Sequence, residues 1–322
     1  KYYQIAPCFR DEDPRADRAP GEFYQLDMEM SFATQDDVFK VVEEVIPEVF
    51  RKNSDWKVVD APFIRIPYAE AMEKYGIDKP DLRNPLIIKD ATECFKNTEF
   101  NAFKDKTIKY IVVPNCASQG RKFFDDMGEF AKLEADAAGL AWVKVDEENN
   151  LTGGIAKFLT DEIKTELGAK IGDAVFFIAD EFHKAQKIAG LVRIELGKRL
   201  DLIEKNIFKF CWIVDFPMYE LNDEGKIDFA HNPFSMPQIS KEDITEVDPL
   251  SIKAYQYDAV CNGFEVTSGA VRNYDIEMME KVFKIAGYSK EDLQEKFKAL
   301  YTAFEYGAMP HAGAAPGLDR LV

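Results

Sequence analysis

Within residues 23–32, apolar and polar side chains alternate without a break from Tyr24 to Phe32, which strongly restricts the backbone they can form. In an extended strand, side chains two positions apart share a face, so this segment would place its polar residues on one side. Those polar residues are Gln25, Asp27, Glu29 and Ser31. Residues 2–10 also have strand character, and a loop dense in charge joins the two segments. The pattern predicts an antiparallel hairpin with one apolar face and one face that carries carboxylates.

The polar face of this hairpin has two interpretations. Antiparallel sheets commonly expose one face to water, and composition alone favours that reading. The alternative is a binding surface, because Arg10 ends the first strand and can lie near the carboxylates of the second. A guanidinium beside carboxylates suits a phosphorylated, cationic or zwitterionic ligand.

Composition limits the class of protein. A chain of 322 residues with 46% hydrophobic and 31% charged residues is typical of a soluble globular protein with roughly two domains. The net charge of −17 argues against broad, nonspecific coating of nucleic acid, so any RNA must be bound locally. Five widely spaced cysteines argue against a disulfide framework or a structural zinc site. No apolar run approaches the roughly 20 residues that span a bilayer, so we expect a cytoplasmic protein that does not bind membranes.

The pattern along the chain changes twice. Residues 35–53 have the spacing of an amphipathic helix, which Pro47 is expected to kink or end. From about residue 85 to about residue 206, short apolar runs of strand length alternate with helical spacing, and a buried strand follows at 208–214. We therefore predict an α+β protein with a discontinuous core domain, residues 1–84 and 207–322, and an inserted α+β domain, residues 85–206.

Three further segments carry candidate functional residues. Residues 230–237 hold His231 in a stretch restricted by prolines, and residues 316–322 place Arg320 just after a glycine. Residues 257–272 contain two carboxylates that suit Mg²⁺, Asp258 and Glu265. Their odd spacing puts them on opposite faces of a regular strand, so joint binding requires a bulge, which we place at residues 262–263. Each feature also has a plain structural explanation, such as an exposed strand charge or a structural histidine.

The first hairpin resembles a known motif. Residues 9–18, Phe-Arg-Asp-Glu-Asp-Pro-Arg-Ala-Asp-Arg, together with the alternating strand, resemble motif 2 of the bacterial-type aspartyl-tRNA synthetases, which are class II aminoacyl-tRNA synthetases. Residues 230–237 are similar to the His-His-Pro-Phe element of that family, with Asn232 in place of the second histidine. Residues 316–322 resemble the start of motif 3, and residues 139–145 and 154–159 resemble the insertion domain.

The resemblance implies a fold and an activity. The fold would be the class II antiparallel sheet flanked by helices, with an inserted α+β domain. The activity would be that of an aspartate–tRNA ligase, which activates L-aspartate with ATP, forms aspartyl-adenylate and transfers the aspartyl group to the 3′ end of tRNA(Asp) or also of tRNA(Asn). The resemblance further implies Mg²⁺ as cofactor and a homodimer for the full-length protein.

The same resemblance assigns roles to individual residues. Arg10 and Arg320 would be catalytic, and Arg10, His231 and Arg272 would bind aspartate. Asp27 and Glu29 would orient Arg272, and Mg²⁺ would lie between Asp258 and Glu265. The ATP site would consist of Arg10, Asp11, Glu12, Glu265, Gly317, Leu318, Asp319 and Arg320.

Some features depart from the family pattern. Ala19 and Gly21 alter the loop of motif 2, at a point where a nucleotide contact is expected. The chain is expected to be a fragment that lacks the N-terminal anticodon-binding domain and motif 1 and stops just inside motif 3, with weak or absent activity on its own. The alternative functions are an asparaginyl-tRNA synthetase-like or amide-forming adenylating enzyme, and a non-catalytic tRNA-binding paralogue.

Overall fold

A computed structural model describes residues 2–10 and 21–322 of the chain. Its helices and strands are, in chain order, β1 (Tyr2–Phe9), β2 (Glu22–Ser31), α1 (Gln35–Asn53), β3 (Lys57–Val58), β4 (Ile64–Pro67), α2 (Tyr68–Tyr75), β5 (Ile88–Asp90), β6 (Thr107–Val113), α3 (Arg121–Glu134), β7 (Ala141–Val145), β8 (Leu151–Thr152), α4 (Asp161–Leu167), β9 (Ala174–Asp180), α5 (Phe182–Arg199), β10 (Ile207–Phe208), β11 (Phe210–Pro217), β12 (Tyr219–Leu221), β13 (Ile227–Phe229), β14 (Lys253–Cys261), β15 (Phe264–Val271), α6 (Ile276–Ile285), α7 (Lys290–Lys296), α8 (Lys298–Glu305), β16 (His311–Pro316) and α9 (Leu318–Leu321).

The chain divides into two compact units. The first unit comprises Lys1–Ala69 and Asn206–Val322, and the second comprises Glu70–Lys205. The sequence analysis placed the first boundary after residue 84 instead. Residues 70–84 belong to the second unit because they are fastened to α5, where the Arg193 guanidinium donates hydrogen bonds to the carbonyls of Asp81 and Asn84.

The first unit is built on one antiparallel sheet with the strand order β1-β2-β16-β15-β14-β11-β4. The last pair, β11 and β4, is parallel, and the other neighbours are antiparallel. The predicted hairpin is confirmed: β1 pairs with β2 from Tyr2 opposite Glu29 to Phe9 opposite Glu22. The mixed helix and sheet content confirms the predicted α+β class.

Helix α1 covers the apolar face of this sheet. Phe39 stacks on Trp212 with 4.0 Å between ring centroids, and it meets the Tyr257 ring edge-on at 4.9 Å. Thr34 caps the helix in a capping box with Asp37. Of the two effects expected of Pro47, an end of the helix is wrong, since α1 continues through it to Asn53 with Pro47 buried, and the kink stays a prediction. Burial of the apolar stripe outweighs the backbone hydrogen bond that proline cannot donate.

A second apolar cluster in the first unit packs α6, α7 and α8 around Tyr219 and Phe283. The second unit has its own antiparallel sheet, with the order β5-β6-β9-β7-β8. Helices α3 and α5 pack on one face of this sheet, around Phe124 and Phe176, and Phe103 and Phe177 belong to a separate cluster on the other face. Among the residues described, no helix combines the length and apolarity needed to cross a membrane.

Candidate active site

The face of the first unit's sheet opposite α1 carries a strip of small residues with charged borders. Met28, Met30, Ala312 and Ala314 pack in the core on the α1 side, so the residues between them point to the other side. On that side the two central strands, β15 and β16, present Ser268, Ala270, Gly313 and Ala315. Strand β2 borders the strip with Gln25, Asp27 and Glu29. The result is a flat floor on which a ligand can approach the backbone closely.

Glu29 and Arg272 form an ion pair at one end of the floor. Both Nε and Nη2 of Arg272 donate to the same Glu29 carboxylate oxygen, at 3.0 and 2.6 Å. Both side chains are partly buried, with 21% of Arg272 and 29% of Glu29 exposed, so water screens this pair less than it screens an ion pair on the surface. The structure thus brings these two predicted residues together. Asp27, in contrast, accepts a hydrogen bond from Gln4 of β1 at 3.4 Å.

Arg320 and Glu265 form a second pair at the other end of β15. Arg320 Nη1 lies 3.4 Å from a Glu265 carboxylate oxygen and donates to the Glu265 backbone carbonyl at 3.0 Å. The short helix α9, which begins at Leu318 after Gly317, positions this arginine. Asp319 fixes the same turn to β2, because its carboxylate accepts a hydrogen bond from the backbone N–H of Tyr24 at 2.8 Å.

The sequence analysis predicted Asp258 and Glu265 on one bulged strand, and this detail is wrong. Asn262 and Gly263 instead form a two-residue turn with φ of 51° and 88°, so the two carboxylates lie on neighbouring strands, β14 and β15. Asn-Gly suits such a turn because both central residues need positive φ.

A bulge still controls the side on which Glu265 lies. The pairing shifts from Ala259 opposite Thr267 to Val260 opposite Glu265, which leaves one extra residue in β15. Directly opposed residues share a face, and Val260 shares its face with Asp258, two positions away. Asp258 and Glu265 therefore belong to the same face of the sheet. Among the residues described, no group of three or more His, Cys, Asp or Glu side chains has the arrangement of a metal site.

His231 lies in an exposed loop beside two aromatic rings. Its ring centroid is 4.9 Å from that of Phe216 and 5.7 Å from that of Tyr68, both with edge-on geometry. The next residue, Asn232, donates its backbone N–H to the Gln256 side chain at 3.2 Å. The Asn232 side chain accepts from the N–H of Phe234 at 2.9 Å, so asparagine supports the local turn.

The same loop is fastened to the end of β15. Met236 donates its N–H to the Val271 carbonyl at 2.8 Å, and Ser235 forms a bridge with Arg272. These contacts link the segment that carries His231 to the segment that carries Arg272.

Arg10 lies at the end of β1. Its backbone N–H donates to the Gly21 carbonyl at 2.9 Å, and its guanidinium carbon lies 5.1 Å from the centre of the Phe23 ring. Asp11, Glu12 and Ala19, which the sequence analysis singled out, lie outside the described residues. Their roles therefore stay predictions.

Sequence reasoning missed one residue of this floor, Gly313, and one residue beneath it, Tyr257. The buried Tyr257 hydroxyl donates to the Gly313 carbonyl at 3.0 Å, from the α1 side of the sheet. Burial raises the pKa of Tyr257, so the hydroxyl keeps the proton that it donates. The run of small residues at 312–315 was the available signal, since such a run in a central strand leaves room for something else.

The arrangement can bind an extended anionic ligand. Residues 265 and 272 are seven positions apart, which corresponds to roughly 20 Å along a strand. The Arg272 guanidinium, paired with Glu29, lies at one end of the floor. The Arg320 guanidinium, beside Glu265, lies at the other end. Guanidinium groups bind carboxylates and phosphates through paired hydrogen bonds.

The chain belongs to the class II tRNA synthetases (D, K and N), whose family model matches residues 1–322. It is 54% identical over 327 residues to the aspartate–tRNA ligase of Streptomyces avermitilis, a match that covers 100% of this chain and 56% of the relative. It is also 54% identical over 336 residues to the aspartate–tRNA(Asp/Asn) ligase of Rickettsia bellii, again covering 100% of this chain and 56% of the relative. The chain thus spans about half the length of these curated relatives. A solved aspartyl tRNA synthetase from Entamoeba histolytica aligns with 99% of this chain and 44% of that chain, at 19% identity and a TM-score of 0.43.

Proposed function

We propose that the full-length protein is an aspartate–tRNA ligase. The observation that carries this proposal is the Arg272–Glu29 pair at the end of the small-residue floor. Glu29 accepts from Nε and Nη2, so the donors on Nη1 can bind the side-chain carboxylate of aspartate. The names of the Streptomyces and Rickettsia relatives support the same substrate.

The proposed reaction has two steps. The α-carboxylate of aspartate attacks the α-phosphorus of ATP, the bond to the bridging oxygen breaks, and pyrophosphate leaves as aspartyl-adenylate forms. A ribose hydroxyl at the 3′ end of tRNA then attacks the activated carbonyl, and AMP leaves. The first nucleophile is already ionised at neutral pH, so that step needs no strong base and depends on positioning and charge stabilisation.

The proposed roles of the other residues are those that the resemblance to the family implies. Arg10 neutralises the α-phosphate and steers the attacking carboxylate, and His231 contacts the amino acid. Arg320 binds the γ-phosphate, and its position is supported by the contacts of Glu265 and Asp319 with the α9 turn. Gly317 and Leu318, together with Asp11 and Glu12, complete the proposed ATP site.

Asp258 and Glu265 are the proposed Mg²⁺ ligands. Carboxylate oxygens suit this hard cation, which takes its remaining ligands from water and substrate phosphates. The two residues share a face, and Glu265 lies beside the proposed phosphate-binding arginine, so these two carboxylates would hold the ion close to the phosphates. When bound, the ion would neutralise negative charge on the phosphates.

A second candidate concerns the tRNA. The Rickettsia relative is named for both tRNA(Asp) and tRNA(Asn), so charging of both is an alternative to strict tRNA(Asp) specificity. Aminoacylation of the two purified tRNAs by the full-length protein separates these alternatives.

We also propose that the full-length protein is a cytoplasmic homodimer. The dimer is supported by an apolar groove of about 310 Å³ between β1 and α1, lined by Tyr2, Tyr3, Leu26, Val45 and neighbouring apolar residues. Tyr3 on its rim is 74% exposed. An exposed apolar surface of this kind is typical of a subunit interface.

Amino-acid-dependent ATP–pyrophosphate exchange tests the proposed activity. We expect the full-length protein to catalyse exchange with aspartate and far less with asparagine. A preference for asparagine would indicate the asparaginyl-like alternative, and exchange with neither amino acid would contradict the ligase function.

A further inference from the structure

The Glu29–Arg272 ion pair spans an intervening strand. Glu29 is on β2 and Arg272 follows β15, and β16 runs between these two strands. In the register of the sheet, Gly313 of β16 lies directly opposite both Glu29 and Ala270. Adjacent strands are about 4.8 Å apart, so the two side chains must meet across roughly 10 Å. The pair therefore passes over Gly313.

Space, not backbone conformation, requires glycine at this position. A Cβ atom on Gly313 would lie 2.4 Å from the carboxyl carbon of Glu29 and 2.5 Å from the oxygen that accepts both Arg272 bonds. It would also lie 2.2 Å from the Met28 carbonyl oxygen. The backbone of Gly313 lies outside the positive-φ range that favours glycine, so any residue could adopt it. An alanine here must displace the Glu29 carboxylate.

The strand cannot easily move away to make room. The Tyr257 hydroxyl holds the Gly313 carbonyl from the opposite side of the sheet at 3.0 Å, and the Tyr257 side chain is fully buried. Ala312 and Ala314, on either side of Gly313, are buried in the α1 core. A Cβ at Gly313 therefore meets two groups, the Met28 backbone carbonyl and the flexible Glu29 side chain, and only its contact with Glu29 leads on to Arg272.

We propose that Gly313 is a positioning residue for amino-acid recognition, because its missing side chain lets Glu29 reach over β16 and orient Arg272. The identity of the amino acid rests on the proposed function above. The positioning role itself rests on the register and on the clearance at Gly313.

The test measures ATP–pyrophosphate exchange by the full-length protein and its Gly313→Ala, Glu29→Ala and double variants. A substrate-positioning group displaced by about 1 Å lowers the reaction rate on the order of a hundredfold. We expect Gly313→Ala to raise the KM for aspartate at least about tenfold while the KM for ATP stays within about twofold, because only amino-acid binding depends on Arg272. Gly128→Ala is the matched control, since a Cβ there meets no atom within 4 Å.

The double variant gives a readout that does not depend on activity. If Gly313 acts through Glu29, the effects of the two substitutions on KM and on thermal unfolding must be less than additive, since shortening Glu29 removes its part of the clash and leaves only the contact with the Met28 carbonyl. If Gly313→Ala alone fails to fold, recovery of folding in the double variant supports the proposal.

Three results would overturn the positioning role. They are an unchanged aspartate KM in Gly313→Ala, fully additive effects, and misfolding of both the single and the double variant. Lack of aspartate-dependent exchange by the unmodified protein would instead contradict the proposed function, and the additivity of the unfolding data would still decide the role of Gly313.

Discussion

Arg193 on α5 holds residues 81–86 against the core of the second unit through hydrogen bonds. Replacing it with methionine should weaken the attachment of that segment. The guanidinium is fully buried and donates to the carbonyls of Leu86 at 2.6 Å, Asn84 at 2.8 Å and Asp81 at 3.2 Å. Its charged carbon also lies 4.9 Å from the centre of the Tyr75 ring. Methionine fills much of the same space without donating a hydrogen bond.

The expected loss of stability follows from two opposing contributions. Three hydrogen bonds from a charged donor contribute about 2 kcal/mol each, or about 6 kcal/mol in total. Burial lowers the pKa of Arg193 from 12.5 to about 10, which corresponds to about 3 kcal/mol against the charged form. The net expectation is that Arg193→Met destabilises the attachment of this segment by about 3 kcal/mol.

Hydrogen exchange measured by mass spectrometry on peptides from residues 81–90 and from α5 tests this value. A loss of about 3 kcal/mol accelerates exchange on the order of a hundredfold. The control is Arg199→Met on the same helix, whose carboxylate partner is the partly buried Glu195 at 2.6 Å, one helical turn away. Loss of such a pair should change exchange only about twofold. Equal exchange in the Arg193 and Arg199 variants would refute the reasoning.

Two further substitutions give separate tests. Gly76→Ala should lower the stability of the second unit by about 3 kcal/mol in thermal unfolding, because Gly76 has φ of +68° and a Cβ would lie 2.6 Å from the backbone N of Gly190. No change in the melting temperature would contradict that close contact. Glu265→Gln should raise, on the order of tenfold, the Mg²⁺ concentration at which ATP–pyrophosphate exchange is half-maximal. The KM for aspartate should stay within about twofold. An unchanged Mg²⁺ requirement would remove Glu265 from the proposed metal site.

Local patterns in the sequence were sufficient to predict the elements whose structure depends on residues nearby in the sequence. The alternation at residues 23–32 and the apolar stripe at residues 35–53 correctly indicated β2 and α1. The sequence left open whether Pro47 kinks or ends α1, since the course of the helix depends on packing against strands far along the chain. The compact units divide after Ala69 and not after residue 84 for the same reason, because the contacts of Arg193 with residues 81–86 join positions more than a hundred residues apart.

In the candidate site, too, some features were predictable from the sequence and others depend on contacts between distant residues. Resemblance singled out Glu29 and Arg272, which the fold brings into contact. The Asn262-Gly263 pair, a typical hairpin signal, forms a turn and not the predicted bulge, because residues 257–272 form two strands and not one. The crossing of the ion pair over Gly313 could not be predicted, since it depends on the order and register of three strands.

The most direct test of the account is aspartate-dependent ATP–pyrophosphate exchange by the full-length protein and its Arg272→Ala variant. Removing the guanidinium deletes the proposed partner of the substrate carboxylate and leaves Glu29 unpaired, so exchange should fall at least on the order of a hundredfold. Circular dichroism and ATP binding should stay unchanged, since the proposed ATP contacts lie at the other end of the floor. Normal aspartate-dependent exchange by the folded Arg272→Ala variant would contradict the central claim.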